Sequence, residues 1–259
     1  MYGALTLYTK NVEIKIDNLP EKFKNFRIAL LSDLHASPTI DRSEFWSIVN
    51  KTNALYPDIV VIAGDLIDGS LESLKDSVLP VKHFQSNFGV FFATGNHEYY
   101  YGKIDDWFPY LLNDLNVNVL HNSNYKIKKF PADETYLCLA GVDDIYSESF
   151  KLKGHSLNAS KALNGCGHTF PRILISHNPK GARLAVMQES SIDLILSGHV
   201  HAGQMYVTAP LMYVTTPYFY GLYRHENGRT QIYVTSGCHF WAAPLKMPGF
   251  SQITLITLI

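Results

Sequence analysis

The chain has 259 residues, 46% hydrophobic and 17% charged, with net charge −1 and a pI near 6.8. That balance is typical of a globular chain with a sizeable core. It excludes the strongly basic footprint of a nucleic-acid binder or of a protein steered to acidic surfaces by its overall charge.

No apolar run reaches the roughly 20 residues needed to cross a bilayer, and no signal peptide is evident. The opening Met1–Tyr8 stretch is too short to span and reads equally as the stub of something longer. Cys138, Cys166 and Cys238 are far apart and odd in number, which supports neither a disulfide framework nor a zinc knuckle. They are expected as buried thiols. The sequons Asn50-Lys51-Thr52 and Asn158-Ala159-Ser160 decide nothing about compartment.

In chain order, Val12, Ile14 and Ile16 alternate as in a half-exposed strand, and Arg27–Leu31 is a buried one. A helix capped by Asp41 or Ser43 runs to Pro57, and Asp58–Ala63 is the next strand. Leu71–Phe84 suits a helix interrupted at Pro80. Gly89–Thr94 is a strand, followed by a helix from Asp105 or Asp106 to Leu115 with Pro109 expected in its first turn. Strands are expected at Val117–Leu120, Tyr125–Phe130 and Tyr136–Val142, and a short helix at Ser156–Leu163. Arg172–Ser176 and Ile192–Leu196 are strands around a helix at Lys180–Glu189. From Gly203 onward the pattern reads as short β-type runs, clearest at Gln231–Thr235 and Gln252–Ile259. With no repeat or linker, a single domain over residues 1–259 is expected.

Five of these apolar strands end in polar blocks: Asp33-x-His35, Gly64-Asp65-x-x-Asp68, Gly95-Asn96-His97-Glu98, His177 and Gly198-His199-x-His201. Ligands of α/β sheets bind where the carboxyl ends of strands emerge, so these loops should converge. Carboxylates, imidazoles and one amide suit manganese, iron or zinc. Seven donors exceed what one tetrahedral ion uses.

The ordered blocks resemble the calcineurin-like metallophosphoesterase superfamily. Gly95–Tyr100, Leu139–Asp144 and Ser197–Gln204 are similar to a narrower branch, the membrane-anchored metallophosphoesterase-domain proteins and their bacterial phosphodiesterase relatives. The resemblance implies an α+β fold, a four-layer α/β/β/α sandwich of two mixed sheets with helices outside. It also implies two divalent metal ions: Asp33, His35 and His201 for the first, Asn96, His177 and His199 for the second, and Asp65 as the bridge. His97 is implied as general acid, with Asp68 and Glu98 orienting imidazoles and loops. Gly69 stands where many relatives carry an arginine, and Ala36 where glycine or leucine is often seen; neither is a proposed ligand.

The activity implied is metal-dependent hydrolysis of a phosphodiester or pyrophosphate-type bond by in-line attack of a bridging hydroxide. A phosphomonoesterase or protein phosphatase is the enzymatic alternative, and a non-catalytic scaffold the other. The branch points to a lipid-linked or nucleotide-like phosphate ester and to membrane association through a segment absent from this chain. Tyr99, Tyr100 and Tyr101 are expected to wall the substrate, at least one of them exposed, with Phe219–Tyr223 as a second candidate wall. His239 is a further group that can approach the site. His83, His121, His155, His168 and His225 lack motif context and are expected to be structural or on the surface.

Overall fold

The computed structural model describes residues 6–38, 40, 42–101, 103–242 and 245–259; the Asp41 cap lies outside them. The strands are β1 (Tyr8–Ile14), β2 (Arg27–Leu31), β3 (Ile59–Ala63), β4 (Val90–Ala93), β5 (Val117–Val119), β6 (Ser123–Ile127), β7 (Leu137–Gly141), β8 (Arg172–Ile175), β9 (Leu194–Ser197), β10 (Gly221–Arg224), β11 (Gln231–Val234) and β12 (Gln252–Leu258). They form two six-stranded mixed sheets, ordered β1-β12-β2-β3-β4-β5 and β10-β11-β9-β8-β7-β6. In the first, β2, β3 and β4 are parallel; in the second, β7, β8, β9 and β11 are.

Strand side chains alternate between faces, and here both faces are buried. Ile28, Leu30, Val61 and Phe91 of the first sheet pack against Leu139, Ile173, Leu194 and Tyr233 of the second. The opposite face of the first sheet, with Leu31, Val60 and Ile62, meets α1 (Arg42–Asn53), α2 (Leu71–Val78) and α4 (Ile104–Asn113) through Phe45, Leu74 and Trp107. Outside the second sheet, Ala140, Leu174 and Ile195 lie under α5 (Ala159–Ala162) and α6 (Pro179–Gln188). Three apolar layers separate four layers of structure, the α/β/β/α sandwich that the motif pattern implied.

Several expectations are corrected. Pro80 does not interrupt one long helix; α2 ends at Val78 and a 3₁₀ turn continues over Leu79–His83. Pro109 lies inside α4, past the first turn, because that helix starts at Ile104. Cys138 and Cys166 are paired in a disulfide with Cα atoms 6.0 Å apart, and only Cys238 is a free buried thiol. Nothing in their spacing signals that β7 lies beside the turn after α5. Ala209–Thr215, expected among β-type runs, is a helix (α7) with Pro210 in its first turn, where the missing N–H costs nothing. The sequon asparagine Asn158 is the N-cap of α5, accepting from Lys161 N–H at 2.8 Å.

Candidate metal centre

The parallel strands of both sheets release their carboxyl ends at one edge of the sandwich. From the first sheet β2 leads to Asp33 and His35, β3 to Asp65 and Asp68, and β4 to Asn96 and the short helix α3 (His97–Tyr100). From the second, β8 leads to His177 and β9 to His199 and His201. Asp33, His35 and His201 place ligand atoms within 4.8 Å of one another, and so do Asp65, His177 and His199. Asp33, His35, Asp65, Asn96, His177 and His201 are buried, so these groups have left water for each other.

The turns are costly. Asp33, His35, Asp65, His199 and His201 all have φ between 51° and 70°, a region that side chains with a Cβ visit rarely. Such strain clusters where the surroundings over-determine a functional geometry. Two glycines allow the loops to close: a Cβ on Gly95 would strike the Asp65 carboxylate, and one on Gly198 would strike Ser32.

Glu98 clamps the two loops. Its Oε2 accepts from Asp65 N–H at 3.0 Å and Gly95 N–H at 2.5 Å, its Oε1 from Leu66 and Ile67 N–H at 2.7 and 3.1 Å. Burial and the Asp65 charge push its carboxyl up to about 7, against the pull of the backbone donors. Asp68 Oδ1 lies 3.3 Å from His35 Nδ1 and 2.6 Å from His97 Nδ1, so one carboxylate orients two rings.

The imidazole tautomers follow from their partners. His177 Nδ1–H donates to Ala63 C=O at 2.6 Å, which leaves Nε2 to carry the lone pair. That Nε2 is 3.0 Å from Asp65 Oδ2, yet it makes no hydrogen bond. A lone pair facing a carboxylate is repulsive unless a proton or a cation lies between. The proton answer shows as a His177 pKa raised well above normal: burial lowers it, and the Asp65 and Asp33 charges more than offset that. His35 Nε2 and His201 Nε2 face each other at 3.2 Å, and His201 Nε2 is 3.3 Å from Asp33 Oδ1. Burial, aided by neighbouring cationic groups, pushes His199 down to about 4 and His201 to about 3, the neutral form that accepts a metal. Burial raises the Asp65 carboxyl, but His177, His35 and His97 hold it well below the carboxylate range. Asn96 Nδ2 donates to Tyr100 Oη at 2.7 Å and leaves its buried Oδ1 without a partner. Unmet lone pairs and anionic oxygens around one locus fit divalent cations.

His97 sits at the edge of this group and lines a cleft of ≈ 400 Å³. Burial lowers its pKa, but the Asp68 hydrogen bond and the Asp65 charge raise it overall, favouring imidazolium. The cleft wall corrects the tyrosine expectation. Tyr99 is fully buried, its Oη 2.9 Å from Thr94 Oγ1, and walls nothing. Tyr100 lines the cleft; Tyr101 is exposed but lies outside that lining, as does Phe219–Tyr223, part of which is the edge strand β10. The other wall is Met205, Thr208, Met212 and Trp241, which sequence reasoning missed. The available signal was the absence of charge from Ala202 to Tyr223.

His239 approaches only by its backbone, donating N–H to Asp33 C=O at 3.1 Å, while its ring turns to Glu44. A second missed residue is Lys246, buried, whose Nζ donates to Ser236, Gly237 and His239 C=O at 2.6, 3.0 and 2.6 Å. It braces the 236–239 loop against Asp33, and burial pushes its pKa down to about 8.

Two facing mixed sheets whose joined strand ends gather imidazoles and carboxylates define a metallophosphoesterase-type sandwich. The calcineurin-like phosphoesterase family model matches residues 26–203, and the chain belongs to that family. It is 40% identical over 248 residues to a transmembrane protein with metallophosphoesterase domain from Danio rerio, covering 96% of this chain and 56% of the relative. It is 35% identical over 250 residues to an uncharacterized metallophosphoesterase of Helicobacter pylori, covering 96% and 63%. The chain thus spans a little over half the length of these relatives. The fold is also similar to the crystal structure of a dimetal phosphatase from Danio rerio, with a TM-score of 0.52 at 14% identity over 89% of this chain and 91% of that one.

Proposed function

We propose that the protein is a dinuclear metal-dependent phosphohydrolase acting on phosphodiester or pyrophosphate-type bonds. The observation that carries this reading is the convergence of seven donor groups from two sheets, with His177 Nε2 and Asn96 Oδ1 left unpaired beside the His97–Asp68 pair. Asp33, His35 and His201 would hold one divalent cation, Asn96, His177 and His199 the other, with Asp65 shared. When bound, the pair supplies an activated water and neutralises phosphoryl charge, the usual contribution of two-metal sites.

The chain's own residues do the rest. Asp68 holds His97 protonated and fixes its ring at the mouth of the cleft, where it can give a proton to a departing alkoxide. Glu98 fixes the relative position of the Asp65 and Asn96 loops, so the donor set is arranged before any ligand arrives.

The diester preference is supported by the cleft lining. Among the described residues it contains no lysine or arginine to match the second charge of a monoester, whereas Met205, Met212 and Trp241 suit an organic second substituent. The same lining supports a lipid-linked or nucleotide-like ester as substrate. The naming of relatives as transmembrane proteins supports membrane association of the full-length protein; among the described residues no helix is long and apolar enough to cross a membrane.

The test is a metal-loaded preparation given bis(p-nitrophenyl) phosphate and p-nitrophenyl phosphate, with bound metal measured in parallel. Hydrolysis favouring the diester, lost with EDTA and restored by Mn²⁺, is expected. A monoester preference would move the reading to a phosphomonoesterase, and two bound ions with no turnover of either would move it to a scaffold.

A further inference from the structure

From Ala202 to Tyr223 the chain runs 22 residues without a charged side chain or histidine, in a protein whose residues are 17% charged. Much of that run is not inside the molecule. Val207 is 89% exposed and Val214 81%, with Tyr206, Leu211 and Tyr213 also exposed, and α7 buries none of its residues. The inner edge of the same segment, Met205, Thr208 and Met212, walls the catalytic cleft. Trp241 closes the cleft from the other side, half exposed, its ring centroid 5.8 Å from that of His97. The apolar surface is therefore continuous with the mouth of the site.

At the margin of this surface Lys180 and Arg183 of α6 form a hollow of ≈ 350 Å³ with Val214–Pro217 of the segment. Both side chains are exposed, and neither is in an ion pair with a carboxylate among the described residues. An overall charge of −1 conceals this local arrangement, which is why composition gave no hint of it.

We infer that the Tyr206–Val214 surface, flanked by Lys180 and Arg183, docks on a lipid bilayer containing anionic headgroups. Aliphatic side chains beside tyrosine and tryptophan match the boundary between acyl chains and headgroups. The two cations meet the phosphates there. A second copy of this chain would bring the same uncharged face and the same two cations, leaving them without counter-charge. Docked in this way, the cleft opens at headgroup level, so an amphiphilic phosphate ester reaches the His97 side without leaving its leaflet. That consequence rests on the phosphohydrolase reading; the docking itself does not.

Flotation of the full chain with vesicles of phosphatidylcholine, alone or mixed with phosphatidylglycerol, tests this. Retention by the mixed vesicles is expected. Val207→Asp/Leu211→Asp, at exposed positions, should abolish retention while keeping the wild-type thermal melt. Lys180→Ala/Arg183→Ala should weaken it by about 25-fold, about fivefold per cation, on the mixed vesicles only. No retention of wild type by either vesicle would overturn the inference, as would full retention of the aspartate variant. So would a concentration-dependent dimer in sedimentation that the aspartate variant disperses, without vesicle binding. Turnover of a soluble aryl diester should be unchanged in both variants; vesicle binding by a protein that hydrolyses nothing would strike the hydrolase reading alone.

Discussion

Two clusters in this molecule use the same side chains and do different things. Beside the metal centre lies a second group, His121, Asp143 and His155, also close enough to share an ion. There the polar atoms satisfy one another. His121 Nδ1 is 2.6 Å from Asp143 Oδ1, His155 Nδ1 is 3.2 Å from Tyr99 Oη, and His155 Nε2 is 3.1 Å from Asp105 Oδ1. At the centre, by contrast, nitrogen faces nitrogen at 3.2 Å, and His177 Nε2 and Asn96 Oδ1 have no partner. Histidine and aspartate in proximity do not make a cation site; lone pairs that the protein itself leaves unanswered do.

The largest expected effect breaks the comparison directly. Asp65→Asn should lose both ions and at least about 10³-fold in turnover, whereas Asp143→Asn should keep wild-type metal content by elemental analysis. Equal metal loss in both variants would erase the distinction between the clusters.

Next in size, His97→Ala should retain metal and lose about 10²–10⁴-fold with alkoxide leaving groups. An equal loss with p-nitrophenolate, which leaves without a proton, would remove the acid role. Asp68→Asn sharpens this point. Because Asp68 raises the His97 pKa, activity should persist in wild type as pH rises past 6.5 and fall only at the raised value. The variant's alkaline limb should move to lower pH, and rate should fall by about 10–100-fold. An unmoved limb would deny the pairing a role in holding the proton.

The smallest effect belongs to the satisfied cluster. Hydrogen bonding to Asp143 raises His155 despite burial, so its stabilisation is full below pH 6.5 and is lost as pH climbs through the raised value. Burial raises Asp143, but the His121 and His155 bonds lower it overall, so its contribution is present above 3.8 and fades as pH falls through the lowered value. Melting temperature at constant metal content should therefore show a His155-dependent excess between about pH 4 and 6.5 that His155→Asn removes. A difference that does not vary with pH would make His155 a packing residue only.

Much was legible because it is local. Apolar runs such as Arg27–Leu31 and Ile59–Ala63 announce buried strands, and the polar blocks at their ends need only the rule that parallel strands deliver ligands at their carboxyl ends. The tyrosine reading failed at Tyr99 because adjacent residues of a one-turn helix point in different directions, one to Thr94 and the core, one to the cleft. The disulfide between Cys138 and Cys166 depends on which strand lies beside α5, a question of sheet order.

By itself the sequence determined which side chains bear the chemistry and in what order the strands present them, since periodicity and turn residues act over a few positions. Only the tertiary structure decided which lone pairs stay unpaired, how Lys246 braces the Asp33 loop, and that α7 stands uncovered at the mouth of the cleft. Those features depend on distances between segments far apart in the chain, and burial and electrostatics are set by such distances.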